Sequence, residues 1–258
     1  MKVVILAGGA GTRLAEETVT KPKPMVEIGG LPILWHIMRG YSFHGFNEFI
    51  VALGYRGEVV KRYFTTYVSL AGSFSLSLAD GTRTPLGESS DLKEDWVVDL
   101  IDTGLSTNTG GRLKRLASQL TEPFLLTYGD GVSNIDIRAL VEFHKRSGRI
   151  VTLSAVRPPA RFGHIEVDGD SVVEFSEKPQ IGDGWINGGF MVCQPEFLDY
   201  ITDDDTDIAH APLVNLAAEG KLGAYRHEGF WQCMDTIRDR QLLNSMWERE
   251  KAPWRTWA

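Results

Sequence analysis

Cysteine is nearly missing from this chain of 258 residues: Cys193 and Cys233 are its only two. Two thiols cannot build the disulfide framework of a small secreted domain, and neither stands in metal-ligand spacing, so a reducing, cytoplasmic setting is expected. Long apolar runs are lacking as well. No stretch of about 20 apolar residues is present to span a bilayer, and the first apolar run, Val3-Val4-Ile5, meets glycines too soon for a signal peptide. Nor is positive charge in excess. The 27 Lys and Arg against 34 Asp and Glu leave a net charge of −7, which excludes an extended basic face for nucleic acid or an anionic membrane. Any cationic site must be local. Low-complexity tracts, internal repeats and long linkers are absent too, and a hydrophobic content of 43% supports one large core, hence a single domain over residues 1–258.

What the chain does have is an alternation of apolar runs and helical patterns. Val3 to Leu6, Phe49 to Leu53, Phe74 to Leu78, Trp96 to Ile101 and Phe124 to Thr127 read as strands. Between them, helices are expected from Pro32 at an N1 position, over Glu58 to Tyr67, Gly111 to Leu120 and Ile135 to Arg146. Beyond Gly148 strands dominate: Ile150 to Val156, Gly163 to Val167, Val172 to Phe175 after an Asp168-Gly169 turn, and Trp185 to Cys193. Helices return at Pro195 to Ile201, Pro212 to Ala218 and Thr236 to about Glu248. The fold class predicted is α/β: a Rossmann-like, mixed but mainly parallel sheet flanked by helices, with a small β-rich excursion near Phe74 to Leu100.

The most informative stretch is Leu6-Ala7-Gly8-Gly9-Ala10-Gly11-Thr12-Arg13-Leu14, where a buried strand runs into a loop almost without side chains. Glycines permit positive φ and let backbone N–H groups approach an anion, while Thr12 and Arg13 add a hydroxyl and a fixed charge. A nucleotide phosphate is the expected ligand. The dinucleotide fingerprint fails, since Leu14 stands where the third glycine belongs, and no Gly-Lys-Ser/Thr completes a P-loop. Lys21-Pro22-Lys23-Pro24 places two cations on a stiffened backbone close by; a solvated loop is the plainer alternative for them.

Tyr128-Gly129-Asp130-Gly131 puts an acid at the carboxyl end of an apolar strand, the edge where open α/β sheets bind ligands. Asp235 precedes the last expected helix. Asp130 and Asp235 together with a triphosphate would make a suitable Mg²⁺ shell; a strand-end turn and an N-cap are their respective alternatives. Glu177-Lys178-Pro179 and Asn187-Gly188-Gly189 offer hydroxyl acceptors, a cation and close backbone approach, a set that suits a phosphosugar. A surface salt bridge and a β-bulge would also account for them.

In order, Gly9-x-Gly11-Thr12-Arg13-Leu14, Lys21-Pro22-Lys23-Pro24, Tyr128-Gly129-Asp130, Glu177-Lys178-Pro179, Asn187-Gly188-Gly189 and Asp235-Thr236 resemble the motifs of sugar-1-phosphate nucleotidyltransferases. The segments Lys21 to Met38, Thr109 to Arg115 and Lys251 to Trp257 look like the cytidylyl branch of that family, and the resemblance runs through essentially the whole chain. It implies CTP and α-D-glucose 1-phosphate as substrates, CDP-glucose and pyrophosphate as products, and Mg²⁺ as cofactor. It further implies that Arg13 and Lys23 are catalytic, with Leu6, Ala7, Gly8, Gly9, Gly11 and Thr12 also holding the nucleotide. Asp130 and Asp235 would hold the metal, and Glu177, Lys178 and Asn187 would seat the sugar phosphate.

Thymidylyl and uridylyl relatives commonly carry a glutamine and a Gly-Leu-Ala stretch where this chain has Asp102-Thr103-Gly104 and Thr109-Gly110-Gly111-Arg112. Arg112 is therefore expected to read the O2 or N3 acceptors of cytosine, with Thr103 and Tyr128 as neighbours; a surface arginine at a helix start is the alternative. Trp254 and Trp257 in a charged tail suggest docking on a neighbouring subunit, and similar enzymes form oligomers, often hexamers. Three other functions stay open: the same transfer with another sugar phosphate or with UTP or dTTP, a nucleotide-sugar glycosyltransferase, and a non-catalytic nucleotide-sugar sensor. Arg13 with Lys23 argues against glycosyl transfer, which needs no cation on an α-phosphorus under attack.

Overall fold

The computed structural model describes residues 1–69, 72–86, 94–158, 164–168, 171–176 and 184–257. Its first strand, β1 (Val3–Ala7), is buried along its whole length. Val3, Ile5 and Ala7 enter one apolar core and Val4 and Leu6 another, because successive side chains leave a strand on opposite faces and both faces here are covered. Six further strands complete the sheet: β2 (Glu48–Leu53), β3 (Val97–Asp102), β4 (Phe124–Tyr128), β5 (Val151–Val156), β6 (Ile186–Cys193) and β7 (Leu222–His227). Their spatial order is β7-β5-β6-β4-β1-β2-β3. Strand β1 runs parallel to β2 and β4, β3 extends that parallel set, β7 is parallel to β5, and β6 is antiparallel to both its neighbours. The mixed, mainly parallel sheet expected from the sequence is present.

The helices are α1 (Ala15–Thr18), α2 (Ile33–Phe43), α3 (Gly57–Ser69), α4 (Thr109–Arg115), α5 (Ile137–Ser147), α6 (Ala211–Ala218) and α7 (Ile237–Glu248). Helices α2, α3, α5 and α7 feed the first core and α4 and α6 the second. The chain leaves β1 for β2 and β3 on one side and returns to β4 on the other. A crevice therefore opens beyond the carboxyl ends of β1 and β4, where the strand order reverses.

Several boundaries move for local reasons. Pro32 is the residue before α2 rather than its first turn, because Gly29 and Gly30 (φ +60° and +80°) make a tight turn that pairs Glu27 with Pro32. Phe74–Leu76 pairs with Arg83–Pro85 in a two-stranded ribbon outside the sheet, so it belongs to the excursion and not to the βαβ series. The expected helix from Gly111 to Leu120 starts at Thr109, where Asn108 caps it by accepting from the Thr109 N–H, and decays into a 3₁₀ turn at Ala117–Gln119. Pro195–Tyr200 is likewise 3₁₀. Strand β7 escaped notice because Leu-Gly-Ala-Tyr-Arg-His carries almost no apolar alternation at the sheet's edge.

The tail corrects a second expectation. Trp254 is 1% exposed and buried in its own chain, with its ring 5.6 Å from Phe230 and 6.4 Å from Trp247, both stacked. Trp257 packs edge-on against Trp35 at 6.0 Å. Trp254 needs no neighbouring subunit to leave water, and Trp257 is partly covered by its own chain.

His36 lies at the centre of this aromatic cluster. Its Nε2–H donates to the Ile28 carbonyl (2.9 Å), which leaves Nδ1 to accept from Trp254 Nε1 (3.4 Å). Burial lowers its pKa from 6.5 to about 4, against the opposing pull of the Ile28 and Leu31 carbonyls. The unfolded chain therefore binds this proton more readily than the folded one, so the contribution is complete above pH 6.5 and is lost as pH falls toward 4. The loss is on the order of 3 kcal/mol. Urea unfolding followed from neutral to acid pH should show a steeper fall in midpoint for the wild type than for His36→Gln; equal slopes would remove His36 from the account.

Candidate active site

Gly8 begins the loop after β1, and its carbonyl accepts from the Tyr55 N–H and from Arg112 Nη2, both at 3.0 Å. A Cβ on Gly8 would land on the Arg112 guanidinium carbon, so only glycine lets this backbone lie against that side chain. At Gly9 a Cβ would meet nothing within 4 Å. That face of the loop is open. Gly11 adopts φ +64° and its carbonyl accepts from Leu14 N and Thr18 Oγ1, which closes a 3₁₀ turn at Thr12–Leu14. Arg13 gives its backbone to this turn; its side chain lies outside the described residues.

Leu6, Ala7, Gly8, Gly9, Gly11, Thr12, Lys23, Arg112, Tyr128, Asp130 and Asp235 line one cleft of about 310 Å³ at the carboxyl ends of β1 and β4. Within it, Lys23 Nζ donates to Asp130 Oδ2 at 2.7 Å and to Asp235 Oδ1 at 2.5 Å. Burial alone would lower this lysine's pKa, but the Asp130 charge and the hydrogen bonds that Lys23 donates to both carboxylates outweigh it and raise the pKa above the ordinary value. Lys23 is thus a permanent cation at neutral pH. Lys21 takes the plainer role, near Glu17 (4.0 Å) and Glu27 (3.8 Å) at the surface.

The two aspartates meet because of a short antiparallel ribbon that pairs Gly131 with Cys233, Val132 with Gln232 and Ser133 with Trp231. Met234 N donates to the Asp130 carbonyl at 2.8 Å, extending the pairing to the foot of Asp235. Gly129 is required beside it, since a Cβ there would come 2.8 Å from Pro24 Cγ and 3.0 Å from the Leu6 carbonyl. Asp235 is not the N-cap of α7: Thr236 holds that position, in a reciprocal pair with Asp239. Beside them the partly buried Cys233 thiol, 3.6 Å from Asp235 Oδ2, is pushed up to about 12 by desolvation and by the nearby carboxylates, so it stays protonated.

Arg112 is 4% exposed, not a surface residue. Its Nη1 donates to the carbonyls of Leu53 (3.0 Å) and Gly104 (2.7 Å) and to Thr103 Oγ1 (2.8 Å). Thr103 is fully buried behind the guanidinium and does not line the cleft. Asn187 stands where the register between β5 and β6 slips, with Leu153 opposite Met191 but Ala155 opposite Asn187, so the β-bulge, the plainer alternative, is present. The glycines there are steric necessities: Gly189 (φ +81°) would press a Cβ within 2.6 Å of the Tyr128 ring. Glu177 and Lys178 lie outside the described residues.

Thr107, Asn108 and Thr109 form a wall of the cleft that sequence reasoning missed. They are placed by the segment after Ile201: Asn108 N donates to the Asp204 carbonyl, Thr109 Oγ1 to Asp207, and Arg115 clasps the Asp204 carboxylate with two nitrogens. The one available signal was Asn108 as a helix cap. No helix among the described residues is long and apolar enough to cross a membrane.

Comparison with known proteins agrees with this geometry. Residues 2–231 match the family model described as nucleotidyl transferase. Over 260 aligned residues, covering 100% of both chains, the sequence is 51% identical to a glucose-1-phosphate cytidylyltransferase from Salmonella typhi. It is 42% identical, again over 100% of both, to a Bacillus subtilis (strain 168) protein named "probable glucose-1-phosphate cytidylyltransferase". The crystal structure of HddC from Yersinia pseudotuberculosis superposes with a TM-score of 0.69 at 23% identity, covering 95% of this chain and 99% of that one, a likeness of fold. A glycine loop, a lysine held by two carboxylates and a match over nearly nine-tenths of its length place the chain in the nucleotidyl transferase family.

Proposed function

We propose that this chain transfers the cytidylyl group of CTP to α-D-glucose 1-phosphate, giving CDP-glucose and pyrophosphate. The observation that carries the reading is the Lys23 ammonium fixed between Asp130 and Asp235 beside an open glycine loop. Full-length identity to proteins named for that reaction supports the choice of substrates. A phosphate oxygen of the sugar phosphate attacks the α-phosphorus; one P–O bond forms as the bond to the departing pyrophosphate breaks. No covalent enzyme intermediate is needed, so catalysis is alignment and charge neutralisation.

The chain's own groups divide that work. Backbone N–H groups from Gly9 to Thr12 receive the triphosphate, and Arg13 and Lys23 offset the charge that grows on the leaving oxygens. The donor set suits Mg²⁺: Asp130 Oδ2 and Asp235 Oδ1 converge on one cationic nitrogen, and Mg²⁺ needs only one or two carboxylates when phosphates and water complete its shell. Asp130 and Asp235 would hold the ion, which when bound supplies Lewis-acid polarisation of the phosphate oxygens. Arg112 reads the base: its Nη1 is spent on the cleft wall, and Nε–H with the second Nη2–H, among the described residues, can meet the acceptors of cytosine. Asn187, with Glu177 and Lys178, seats the glucosyl phosphate.

The test is pyrophosphate release by the purified protein with Mg²⁺ and glucose 1-phosphate, offering CTP, UTP, dTTP, ATP and GTP in parallel. Release with CTP alone is the expected result. Preference for UTP or dTTP would overturn the base assignment while keeping the chemistry, and silence with every nucleotide would overturn the reaction itself.

A further inference from the structure

We infer that Asp239 is a positioning residue that fixes the Asp235 carboxylate for metal binding; this rests on reading Asp235 as a metal ligand. Asp239 sits in the first turn of α7, four residues beyond Asp235. An ordinary capping box needs only the exchange between Thr236 and Asp239: Asp239 N donates to Thr236 Oγ1 (3.2 Å) and Thr236 N to Asp239 Oδ2 (2.8 Å). Here the same carboxylate does more. Oδ2 also accepts from Asp235 N (3.1 Å) and Thr236 Oγ1 (2.8 Å), while Oδ1 accepts from Gln232 Nε2 (3.3 Å). Gln232, 6% exposed, turns the same amide onto the Cys233 carbonyl at 2.7 Å.

Asp239 therefore brackets Asp235 from both sides, through Gln232 before it and Thr236 after it, and grips its backbone N–H directly. The remaining residue of the turn is pinned by Met234 N on the Asp130 carbonyl. With its backbone held, Asp235 keeps Oδ1 toward Lys23, the point on which Asp130 also converges. Outer-shell partners that orient a ligand change metal affinity by about 10–100-fold when removed. Asp239 does not line the cleft, so its effect travels through Asp235.

The experiment titrates the full-length protein with Mn²⁺ and follows free Mn²⁺ by electron paramagnetic resonance, a readout independent of turnover. Asp239→Ala should weaken Mn²⁺ binding about tenfold or more, and Asp239→Asn, which keeps one carbonyl acceptor, should recover part of that loss. The control is Asp136→Ala at the N-terminus of α5, where the carboxylate caps by accepting from Ala139 N (3.0 Å) and lies in no proposed site. It should lose cap stability and keep its Mn²⁺ affinity. If Asp239→Ala retains wild-type affinity while Asp235→Ala loses it, Asp239 is a cap and the inference falls alone. If Asp235→Ala also retains wild-type affinity, the metal reading of Asp235 falls and takes the inference with it. Should Asp239→Ala lack a cooperative unfolding transition, Asp239→Asn is judged by the same criterion.

Discussion

Lys23→Ala should lower kcat for pyrophosphate release by about 10²–10³-fold, the range seen when one preorganised group facing developing charge is removed. The ammonium is aligned before any reactant arrives, held at 2.7 Å and 2.5 Å by carboxylates on two different turns. Its raised pKa keeps it charged across neutral pH, so it acts as a fixed countercharge and not as a proton carrier. The pH dependence of the wild type between mildly acid and mildly alkaline conditions should accordingly show no limb assignable to Lys23. The fold should survive, because Lys23 contributes to neither apolar core. Circular dichroism of the variant should match the wild type while rapid-quench assays record the collapse in rate. A variant that kept near-normal turnover would overturn the placement of the reacting phosphates beside Lys23.

The second large effect concerns stability. Trp254→Ala should cost about 3–5 kcal/mol, as expected for deleting a buried aromatic from a packed core. Trp254 is wholly buried, stacks between Phe230 and Trp247, and supplies the N–H that completes the His36 hydrogen bonds. Its loss leaves both a cavity and an orphaned imidazole nitrogen. Trp257→Ala, at the partly buried rim of the same cluster, should cost far less. Denaturant midpoints of the two variants test this, and equal losses would show that the tail docks in some other way.

The sequence made the sheet and the glycine loop readable because both are local patterns. Val3-Val4-Ile5 followed by glycines marks a buried strand and a bare turn within a dozen residues, and Gly-Asp-Gly after Phe124-Leu125-Leu126 marks another strand end. What escaped was made by distant partners. Gly131–Ser133 and Trp231–Cys233 are each too short to carry a period, and only their pairing makes strands of them. Thr107 to Thr109 become a cleft wall only where the loop around Asp204 packs on α4. For Arg112 a base reader is the expectation and a surface cation the alternative, and no local pattern tells that three carbonyls, those of Gly8, Leu53 and Gly104, would gather round its guanidinium. Trp254 misled for the same reason: a tryptophan among charges looks stranded until His36 and Trp247 are seen around it.

The ribbon beneath the two aspartates has a kinetic meaning. Lys23 and Asp235 are separated by 212 positions and Lys23 and Asp130 by 107, so the charge cluster exists only after two very large loops have closed. The local contacts of each strand and helix can form well before that. Assembly of the Lys23, Asp130 and Asp235 cluster is therefore a late property of the folding chain.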